Sequence, residues 1–443
     1  NMAPLNFALD DQDAGSRAVF SFGGQQFEVK GENGSIVIPP SKWKKLLESA
    51  AGDSIQVTVQ VKQGNEWAAY SPFAIRVAPE KVDSYLAYRL IDPGYELWNK
   101  MGIYQRDLES YTQIPIIENK MSGNNCVNCH SFCMQDPNKM LFHMRETFPG
   151  TILVDGDKIE KLNTKTKETI SSLVYPSWHP SGKYVAFSVN TTKQAFHLND
   201  RNRVEVYDEA SDVVVYDVEK HEIVTASNIF SKDAFETFPT FSPDGKTLYF
   251  CTAEARPIPQ EYSEVKYNLC SVSFDPVTRA FGAQVDTLYN AKSGGMSASF
   301  PRVSPDGRYL LYTLSGYGNF SIWHKEANLW LLDLTSGDLR ELSEVNSDDT
   351  ESFHNWSSNS RWFVFSSRRG DGLYTRLYLA SMDENGKISK PFLLPQEDPE
   401  TYYDRSVYSY NVPDFVNAPI LLDTKVFEKR ITSKERIQVQ VGD

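Results

Sequence analysis

The chain contains the run Pro239-Thr-Phe-Ser-Pro-Asp-Gly-Lys-Thr-Leu-Tyr-Phe250, and close copies of this run begin at Pro176 and Pro301. A degenerate fourth copy begins at His354. Each copy is typical of a strand, a tight turn and a second strand, because proline fixes φ, aspartate bonds to nearby backbone and glycine accepts a positive φ. The apolar and aromatic residues after the glycine indicate a strand buried between neighbours. The chain is therefore predicted to be a repeat protein made of β-hairpins.

A second pair of strands follows each hairpin. Examples begin with the runs Val213–Asp217, Leu329–Asp333 and Leu377–Ala380, and the last two are followed by turns that contain glycine. Four strands per unit, repeated around an axis, form a β-propeller. The repeats therefore predict an all-β protein whose main domain is a propeller.

Two weaker units bring the predicted number of blades to six. One unit extends from a cysteine-rich segment near residue 126 to Leu162. The other begins at Tyr85 and lacks an opening strand, which the run Ser409–Phe415 near the C-terminus supplies. We therefore predict a six-bladed propeller closed by a C-terminal strand, with five or seven blades as the alternatives.

The N-terminal residues 1–78 do not match the repeat. Apolar and polar residues alternate there with a period of two, as in Ile55–Val61, and this pattern is typical of half-buried strands. One helix is predicted from Ser41 to Ala50, with Ser41 as its N-cap. We expect a small β-sandwich-like domain.

The predicted organisation thus has three parts. The small domain covers residues 1–78, the propeller covers 79–417 and a C-terminal tail covers 418–443. The tail contains one more strand-like run, Ile437–Val441, which we expect to pack back on the small domain.

The Pro-x-x-Ser-Pro-Asp-Gly-Lys spacing resembles the WD-like repeats of TolB-like propellers over roughly residues 80–417. The whole arrangement resembles exported propeller proteins of Bacteroidetes that carry a Cys-x-x-Cys-His segment between the small domain and the repeats. This resemblance implies a protein that is periplasmic or associated with the outer membrane. It also implies a leader outside this chain, and it allows a lipid anchor, as in a lipoprotein, on the full-length precursor.

The cysteine-rich segment contains the run Cys126-Val-Asn-Cys129-His130, which matches the attachment signature of a c-type haem. Two thiols on one short segment can bond both vinyl groups of the porphyrin, and the adjacent imidazole can ligate the iron. The motif predicts one covalent haem for electron transfer or redox sensing, which protein made without the attachment machinery would lack. The candidates for the second iron ligand are His143, Met134, Met140 and Met144.

Two alternatives to haem remain open for this segment. Cys133 adds a third thiol, so that the cysteines together with His130 or His143 also resemble a zinc site. A short disulfide or free thiols are the other alternative. In every case we expect the segment to form a loop outside the blade cores.

The channel of the propeller is the expected binding surface. The residues near the start of each opening strand are the candidates for lining the channel. The ionisable ones among them are Glu236, Glu351 and His354. His354 replaces the proline of its sister repeats, which makes it a candidate site residue. The alternative is a buried histidine with a structural role.

The composition excludes several functions. The 443 residues carry a formal net charge of −13, which disfavours nucleic acid, anionic membranes and acidic substrates. No run approaches the about 18 apolar residues of a membrane span. The sequence also lacks a phosphate-binding loop, a dinucleotide-binding motif and a nucleophile elbow.

These observations predict an exported scaffold, without enzymatic activity, that binds a protein partner or a small ligand at the propeller channel. The alternative is a propeller enzyme or carbohydrate-binding protein that acts through the channel. In that alternative, the cysteine segment is a zinc-bound or disulfide-bonded staple.

Overall fold

The turns predicted between paired strands are present in the repeats. Gly245 and Gly307 have φ values of 72° and 76°, in the left-handed region that glycine adopts without a steric clash at Cβ. In the degenerate copy Ser360 takes the same conformation, with a φ of 59°. The side chain of Asp244 accepts a hydrogen bond from the backbone N of Lys246 at 3.0 Å, so the turn is closed by its own residues.

The structure is a computed structural model, and it describes residues 1–10, 15–92, 100–400, 402 and 405–442. Strands dominate the regular structure of these residues, as expected of an all-β protein. Among them, no helix combines the length and the apolar character that crossing a bilayer requires.

The N-terminal domain is one antiparallel sheet of five strands, with the order β3-β2-β5-β6 and with β7 also paired to β5. Its elements are β1 (Phe7–Ala8), β2 (Ser16–Phe22), β3 (Gln25–Lys30), β4 (Ser35–Ile36), α1 (Pro40–Ser49), β5 (Ser54–Gln63), β6 (Glu66–Ala69) and β7 (Phe73–Arg76). Trp43 and Leu46 of α1 are buried in one core with β5 side chains such as Val57. The second layer of the sandwich-like domain is therefore α1 together with the β1–β4 ribbon.

Two prolines set the start of α1. Pro39 is the N-cap and makes no side-chain capping bond, while Pro40 occupies the first helical position. Proline favours this position because its φ is already helical and its missing N–H would have no partner there. The prediction that Ser41 caps the helix is therefore wrong.

Six further sheets form the propeller in the described part of the chain. The first sheet begins with β8 (Tyr85–Ile91), β9 (Met101–Asp107) and β10 (Gln113–Glu118), and the second consists of β11 (Cys126–Phe132), β12 (Lys139–Arg145), β13 (Gly150–Asp155) and β14 (Lys158–Asn163). The third consists of β15 (Leu173–Trp178), β16 (Tyr184–Phe196), β17 (Val204–Asp217) and β18 (Glu222–Val224), and the fourth of β19 (Ala234–Phe241), β20 (Thr247–Glu254), β21 (Asn268–Asp275) and β22 (Ala280–Tyr289). The fifth follows the short helix α2 (Ala291–Gly294) with β23 (Ser297–Val303), β24 (Tyr309–Ser315), β25 (Asn328–Asp333) and β26 (Leu339–Glu341), and the sixth contains β27 (Glu351–Trp356), β28 (Trp362–Ser367), β29 (Arg376–Ser381) and β30 (Phe392–Leu393).

A C-terminal strand closes the ring. β31 (Ser409–Val416) pairs antiparallel with β8 and so supplies the innermost strand of the first sheet. The innermost strands are then β31, β11, β15, β19, β23 and β27; they contact one another in this order, and the last contacts the first. This strand lies where its sequence pattern placed it, and both ends of the propeller meet in one sheet.

The tail packs against the propeller and not against the small domain, so the prediction for Ile437–Val441 is wrong. Its elements are α3 (Thr424–Ile431), β32 (Ile437–Gln438) and β33 (Gln440–Val441). β32 pairs in parallel with β14, and β33 pairs in parallel with β18. The outer strands of these two sheets present unpaired backbone groups, which the tail covers.

Candidate functional site

Each innermost strand has a β-bulge at the same position. At each bulge a residue other than glycine adopts a φ between 47° and 54°; these residues are Cys129, Tyr175, Phe238, Phe300, Phe353 and Val412. This conformation costs a residue with a Cβ about 1–2 kcal/mol, so its use in all six strands indicates a requirement of the ring geometry. All six residues border the central cavity. We call them the bulge ring.

The Cys-x-x-Cys-His segment belongs to this repeat. It forms the innermost strand β11, and Cys129 and His130 lie at its bulge. The expectation of a loop outside the blade cores is therefore wrong. In the sister strands the residue after the bulge-ring residue is Pro176, Pro239, Pro301, His354 or Pro413. His130 thus occupies the position of these prolines and is the equivalent of His354.

The imidazole of His354 reaches into the neighbouring sheet. Its Nε2–H donates a hydrogen bond to the carbonyl of Leu311 at 2.9 Å, and its ring also faces the backbone of Phe300. Burial, together with the nearby Arg302, lowers the pKa of His354 to about 3. The imidazole is therefore neutral at physiological pH. It fills the space between the fifth and sixth sheets and contacts both.

His130 has the same surroundings one third of the way around the ring. It faces the backbone of Ala87 and Val412, which are the equivalents of the residues that His354 faces. Neither ring nitrogen makes a hydrogen bond of standard geometry there. Burial, with Arg89 nearby, lowers the pKa of His130 to about 3. The imidazole of His130 is therefore also neutral at physiological pH and packs between the first and second sheets.

Two arginines lie beside the thiols of β11. Arg145 donates from Nη2 to Cys126 Sγ at 3.5 Å, and Arg89 donates from Nη1 to the side-chain oxygen of Asn128. Burial raises the pKa of the Cys129 thiol, and the backbone N–H of the next sheet and both guanidiniums oppose this shift. Cys129 is therefore a thiol at neutral pH, not a thiolate.

The cysteines do not converge on one site. All five are free thiols in this structure. Cys126 packs in the core between the first and second sheets, whereas Cys133 packs between the second and third. Among the described residues, no three side chains of the His, Cys, Asp and Glu types come together as a metal site. The zinc and disulfide alternatives have no counterpart in this part of the chain.

The four candidates for the second iron ligand are dispersed. Met140 and Met144 lie in the apolar core between the first and second sheets. His143 Nδ1 lies 3.0 Å from Thr151 Oγ1, and burial lowers the pKa of this histidine to about 3. Met134 is 47% exposed and borders the cavity.

The residues of the motif, as folded, do not fit a covalently bound haem. Cys126, Cys129 and His130 are only 3%, 7% and 4% exposed. Cys129 and His130 border the cavity, but Cys126 lies in the core between two sheets and does not, so the two thiols do not face one common space for a porphyrin. The imidazole points into the interface between two sheets. His130 could ligate a haem iron only if β11 separated from its neighbouring innermost strands, β31 and β15.

The cavity of the channel has a volume of about 280 Å³ and is bordered by aromatic side chains. The ring centroids lie 4.9 Å apart for Tyr175 and Phe238, 4.0 Å for Phe238 and Phe300, and 4.9 Å for Phe300 and Phe353. The bulge-ring residue is thus a large aromatic side chain in the third to sixth sheets. In the other two sheets the bulge ring carries the smaller Cys129 and Val412, so its open side lies at the first and second sheets.

Two of the three predicted channel residues lie elsewhere. Glu351 is buried and accepts hydrogen bonds from Arg369 Nη2 at 2.9 Å and from the hydroxyls of Ser347 and Ser367 at 2.6 and 2.8 Å. Glu236 is buried, and burial together with Asp212 raises its pKa to about 8. Both residues are buried, and neither borders the cavity. His354 does border it, in its structural role.

The sequence does not match any family model, and no curated protein matches it. Solved structures do resemble it. TolB from Acinetobacter baumannii is 15% identical, with 85% of each chain covered and a TM-score of 0.47. An oligogalacturonate lyase from Vibrio parahaemolyticus is 12% identical over 68% of this chain and 92% of its own, with a TM-score of 0.36. The β-propeller domain of Cps50 (Swd1) from Myceliophteria thermophila is 9% identical over 72% and 90%, with a TM-score of 0.35.

Likeness at this level of identity concerns the fold alone. The strand topology described above is itself that of a propeller: four-stranded antiparallel sheets whose innermost strands form a closed ring. The described part of the chain is therefore an all-β protein with a β-propeller of six sheets as its main domain, as its repeats predicted.

Proposed function

We propose that this protein is an exported scaffold that binds a ligand or a segment of a partner in the channel of its propeller, without catalysing a reaction. The observation that carries the proposal is the bulge ring. It surrounds a cavity of about 280 Å³ with aromatic side chains on four sheets and leaves an opening beside Cys129 and Val412. Concave, largely apolar sites with a few polar groups are the usual form of a ligand pocket.

The ionisable groups of the channel favour binding over catalysis. General acid–base catalysis needs a group that titrates near the working pH and is free to move a proton. His130 and His354 have pKa values of about 3 and are held between sheets. Burial raises the pKa of Asp414 to about 7, but its two oxygens accept hydrogen bonds from Asn355 Nδ2 and the backbone N of Phe132, at 2.8 and 3.2 Å. This carboxyl group links three sheets.

Export is the part of the proposal that rests on the resemblance to exported Bacteroidetes propellers. Fractionation of cells that make the full-length precursor tests it directly. We expect the protein in the periplasmic or outer-membrane fraction. Recovery with the cytoplasmic proteins would contradict this part and leave the channel proposal standing.

A single substitution can close the channel with little change to the fold. Phenylalanine is the bulge-ring residue in three sister strands, so Cys129→Phe places a side chain that this position accepts elsewhere in the ring. Native mass spectrometry of the protein purified from its natural source should show a bound molecule, and Cys129→Phe should lose it. Cys126→Ser, in the core between sheets, is the matched control that keeps it. An adduct that persists in Cys129→Phe, or its absence from the natural protein, would contradict the proposal.

The haem hypothesis is supported by the Cys-x-x-Cys-His motif alone. The burial of its three residues and the position of His130 count against it. A haem would give the protein a redox function in place of a purely binding one, so the two hypotheses are separable by one spectrum, described at the end of the Discussion.

A further inference from the structure

The charged groups that border the channel include three arginines. In the described part of the chain, Arg89, Arg302 and Arg368 border the cavity together with two aspartates, Asp92 and Asp414. Among the described residues, none of the three guanidiniums forms an ion pair with a carboxylate. The three side chains are half-buried. Charges withdrawn from water are ordinarily paired, because losing their hydration costs free energy. The channel therefore carries positive charge inside a protein whose net charge is −13.

Two of these arginines lie on the side of the channel where the innermost strands begin. Arg89 is paired in register with Asn411, the residue before the bulge of β31. The backbone N of Arg368 donates to the carbonyl of Thr350 at 3.3 Å, immediately before β27 begins. Arg89 and Arg368 thus border the same end of the cavity, above the bulge ring.

The guanidiniums of this pair have unused donors. The Nε atoms of Arg89 and Arg368 are buried and have no hydrogen-bond partner. Arg89 contacts the neutral amide of Asn128, and Arg368 stacks on Trp323 with its Cζ 4.1 Å from the ring centroid. Burial lowers the pKa of Arg368 to about 10, so it stays protonated at neutral pH.

The third arginine differs because none of its nitrogens is among the buried side-chain atoms without a hydrogen-bond partner in the described part of the chain. Arg302 lies on the opposite side of the bulge ring, near Asp414, and its Nη1 donates to the carbonyl of Pro301 at 2.9 Å. The carboxylates nearest to Arg368 are Asp349 and Asp371, which do not border the cavity. The unused guanidinium donors at the cavity therefore belong to Arg89 and Arg368.

We infer that the ligand of this channel is a small organic anion, whose carboxylate or similar group binds to Arg89 and Arg368 and whose apolar body packs on the bulge ring. This inference rests on the proposed function and names its ligand class. Guanidinium groups bind planar anions through paired hydrogen bonds, and the aromatic side chains below supply the apolar contact. The expectation from net charge that acidic ligands are disfavoured does not apply inside the cavity, because the nearest charges determine its potential.

The test compares two compounds of the same shape and different charge. Isothermal titration calorimetry at low salt is carried out with 1-naphthoate and with the neutral 1-naphthamide. We expect 1-naphthoate to bind at least about tenfold more tightly, the effect typical of a charge-assisted hydrogen bond to a guanidinium group. In Arg89→Gln and Arg368→Gln this preference should fall to about twofold or less.

Matched variants separate loss of charge from loss of structure. Arg436→Gln removes an exposed arginine of the tail and should keep the full preference. Arg89→Lys retains the charge and should recover part of the preference that Arg89→Gln loses, and thermal unfolding followed by circular dichroism confirms that each variant is folded.

The failures of the two proposals are distinguishable. Equal binding of both compounds would overturn the inference about charge and leave the channel as a binding site. A preference for 1-naphthoate that survives both glutamine substitutions would place the anion elsewhere and overturn the inference. Absence of binding by either compound would also overturn the stated ligand class, whereas the native mass spectrum of Cys129→Phe decides the proposed function on its own.

Discussion

At the scale of single residues, the histidine of the Cys-x-x-Cys-His motif has a structural role, which a comparison with His354 in the sixth sheet makes clear. His130 and His354 each take the place of a proline after a bulge-ring residue, and each fills the interface with the preceding sheet. A proline needs no hydrogen-bond partner in that position. The two histidines are therefore substitutions at a repeat position that is proline in the other four innermost strands.

The equivalence predicts which substitutions these positions accept. His130→Pro and His354→Pro restore the residue of the sister strands, so each should change the free energy of unfolding by less than about 1.5 kcal/mol. His130→Ala and His354→Ala leave a cavity between sheets and should cost about 2 kcal/mol or more. Chemical denaturation measures both. If His130→Pro fails to fold while His354→Pro folds, the two positions are not equivalent.

The pH dependence of stability gives a second prediction for His354. Its pKa is about 3 in the folded protein and near 6.5 in the unfolded chain, so the neutral form stabilises the fold above pH 6.5. This contribution is lost as the pH falls from 6.5 toward 3, by at most about 1.4 kcal/mol per pH unit. The free energy of unfolding of the wild type, relative to that of His354→Pro, should therefore fall as the pH is lowered over that window. A difference independent of pH would show that His354 is exposed to water.

The site was only partly predictable at this scale. An aromatic residue precedes the proline or histidine in four of the repeats, so the signal of the bulge ring is present in the sequence. The Ser-Pro-Asp-Gly turn is the most regular part of each repeat, and a repeat defined by that turn begins at the proline and leaves out the bulge-ring residue before it. The Cys-x-x-Cys-His motif predicts haem attachment when it is considered alone. Its last two residues, Cys129 and His130, nevertheless occupy the bulge-ring and proline positions of the repeat.

At the scale of elements, one hairpin is much longer than its counterparts. β16 and β17 contain 13 and 14 residues, and they extend beyond the third sheet to the fifth. Near the tip of the hairpin, Glu205 Oε2 lies 3.4 Å from His324 Nε2, and Tyr317 donates to the other oxygen. Val206 borders the cavity, so the hairpin covers part of the channel entrance.

The ion pair of this hairpin should control access to the channel. Burial disfavours the charged imidazole, but Glu205 and Glu326 outweigh this effect and raise the pKa of His324 to about 9. Glu205→Gln removes the buried partner of a charged histidine and should cost about 3 kcal/mol. Iodoacetamide should then alkylate Cys129 several times faster, as measured by peptide mass spectrometry.

Glu209→Gln is the matched control for this experiment. Glu209 lies on the same hairpin but makes an exposed contact of 4.0 Å with Lys193, which should contribute little. An equal alkylation rate in the wild type and in Glu205→Gln would mean that the hairpin does not cover the entrance.

Elements with a repeated pattern were predicted better than isolated ones. The closing strand β31 shares the proline and aromatic pattern of its sister strands, and its pairing with β8 follows from the missing strand of that unit. The tail strands have no repeat to compare with. A short alternating run such as Ile437–Val441 fits any exposed sheet edge, and the edges of the second and third sheets are the ones it covers.

At the scale of the whole molecule, the ring is held closed by pairing between distant parts of the chain. A chain that ends after Tyr408 lacks β31 and leaves β8 without its inner neighbour. We expect this truncation to lose cooperative thermal unfolding. A chain that ends after Asn417 keeps the ring and loses only the tail, so it should unfold cooperatively at a lower temperature.

Cooperative unfolding of the shorter chain would contradict the closure by β31. The tail is not without effect, because Phe427 and Ile431 are buried against the second sheet and Lys161 Nζ donates to the carbonyl of Ile431 at 2.7 Å. The two truncations differ by nine residues, and the difference in their melting curves isolates the closing strand.

The Cys-x-x-Cys-His segment forms the innermost strand of the second sheet, and we propose that it serves the propeller and not a haem. The most direct test is a pyridine haemochrome spectrum of the denatured protein, after export in a host that contains the cytochrome c maturation system. We expect no c-type band in the wild type, as in the Cys126→Ser, Cys129→Ser double variant. A c-type band that survives denaturation in the wild type and is absent from the double variant would contradict it.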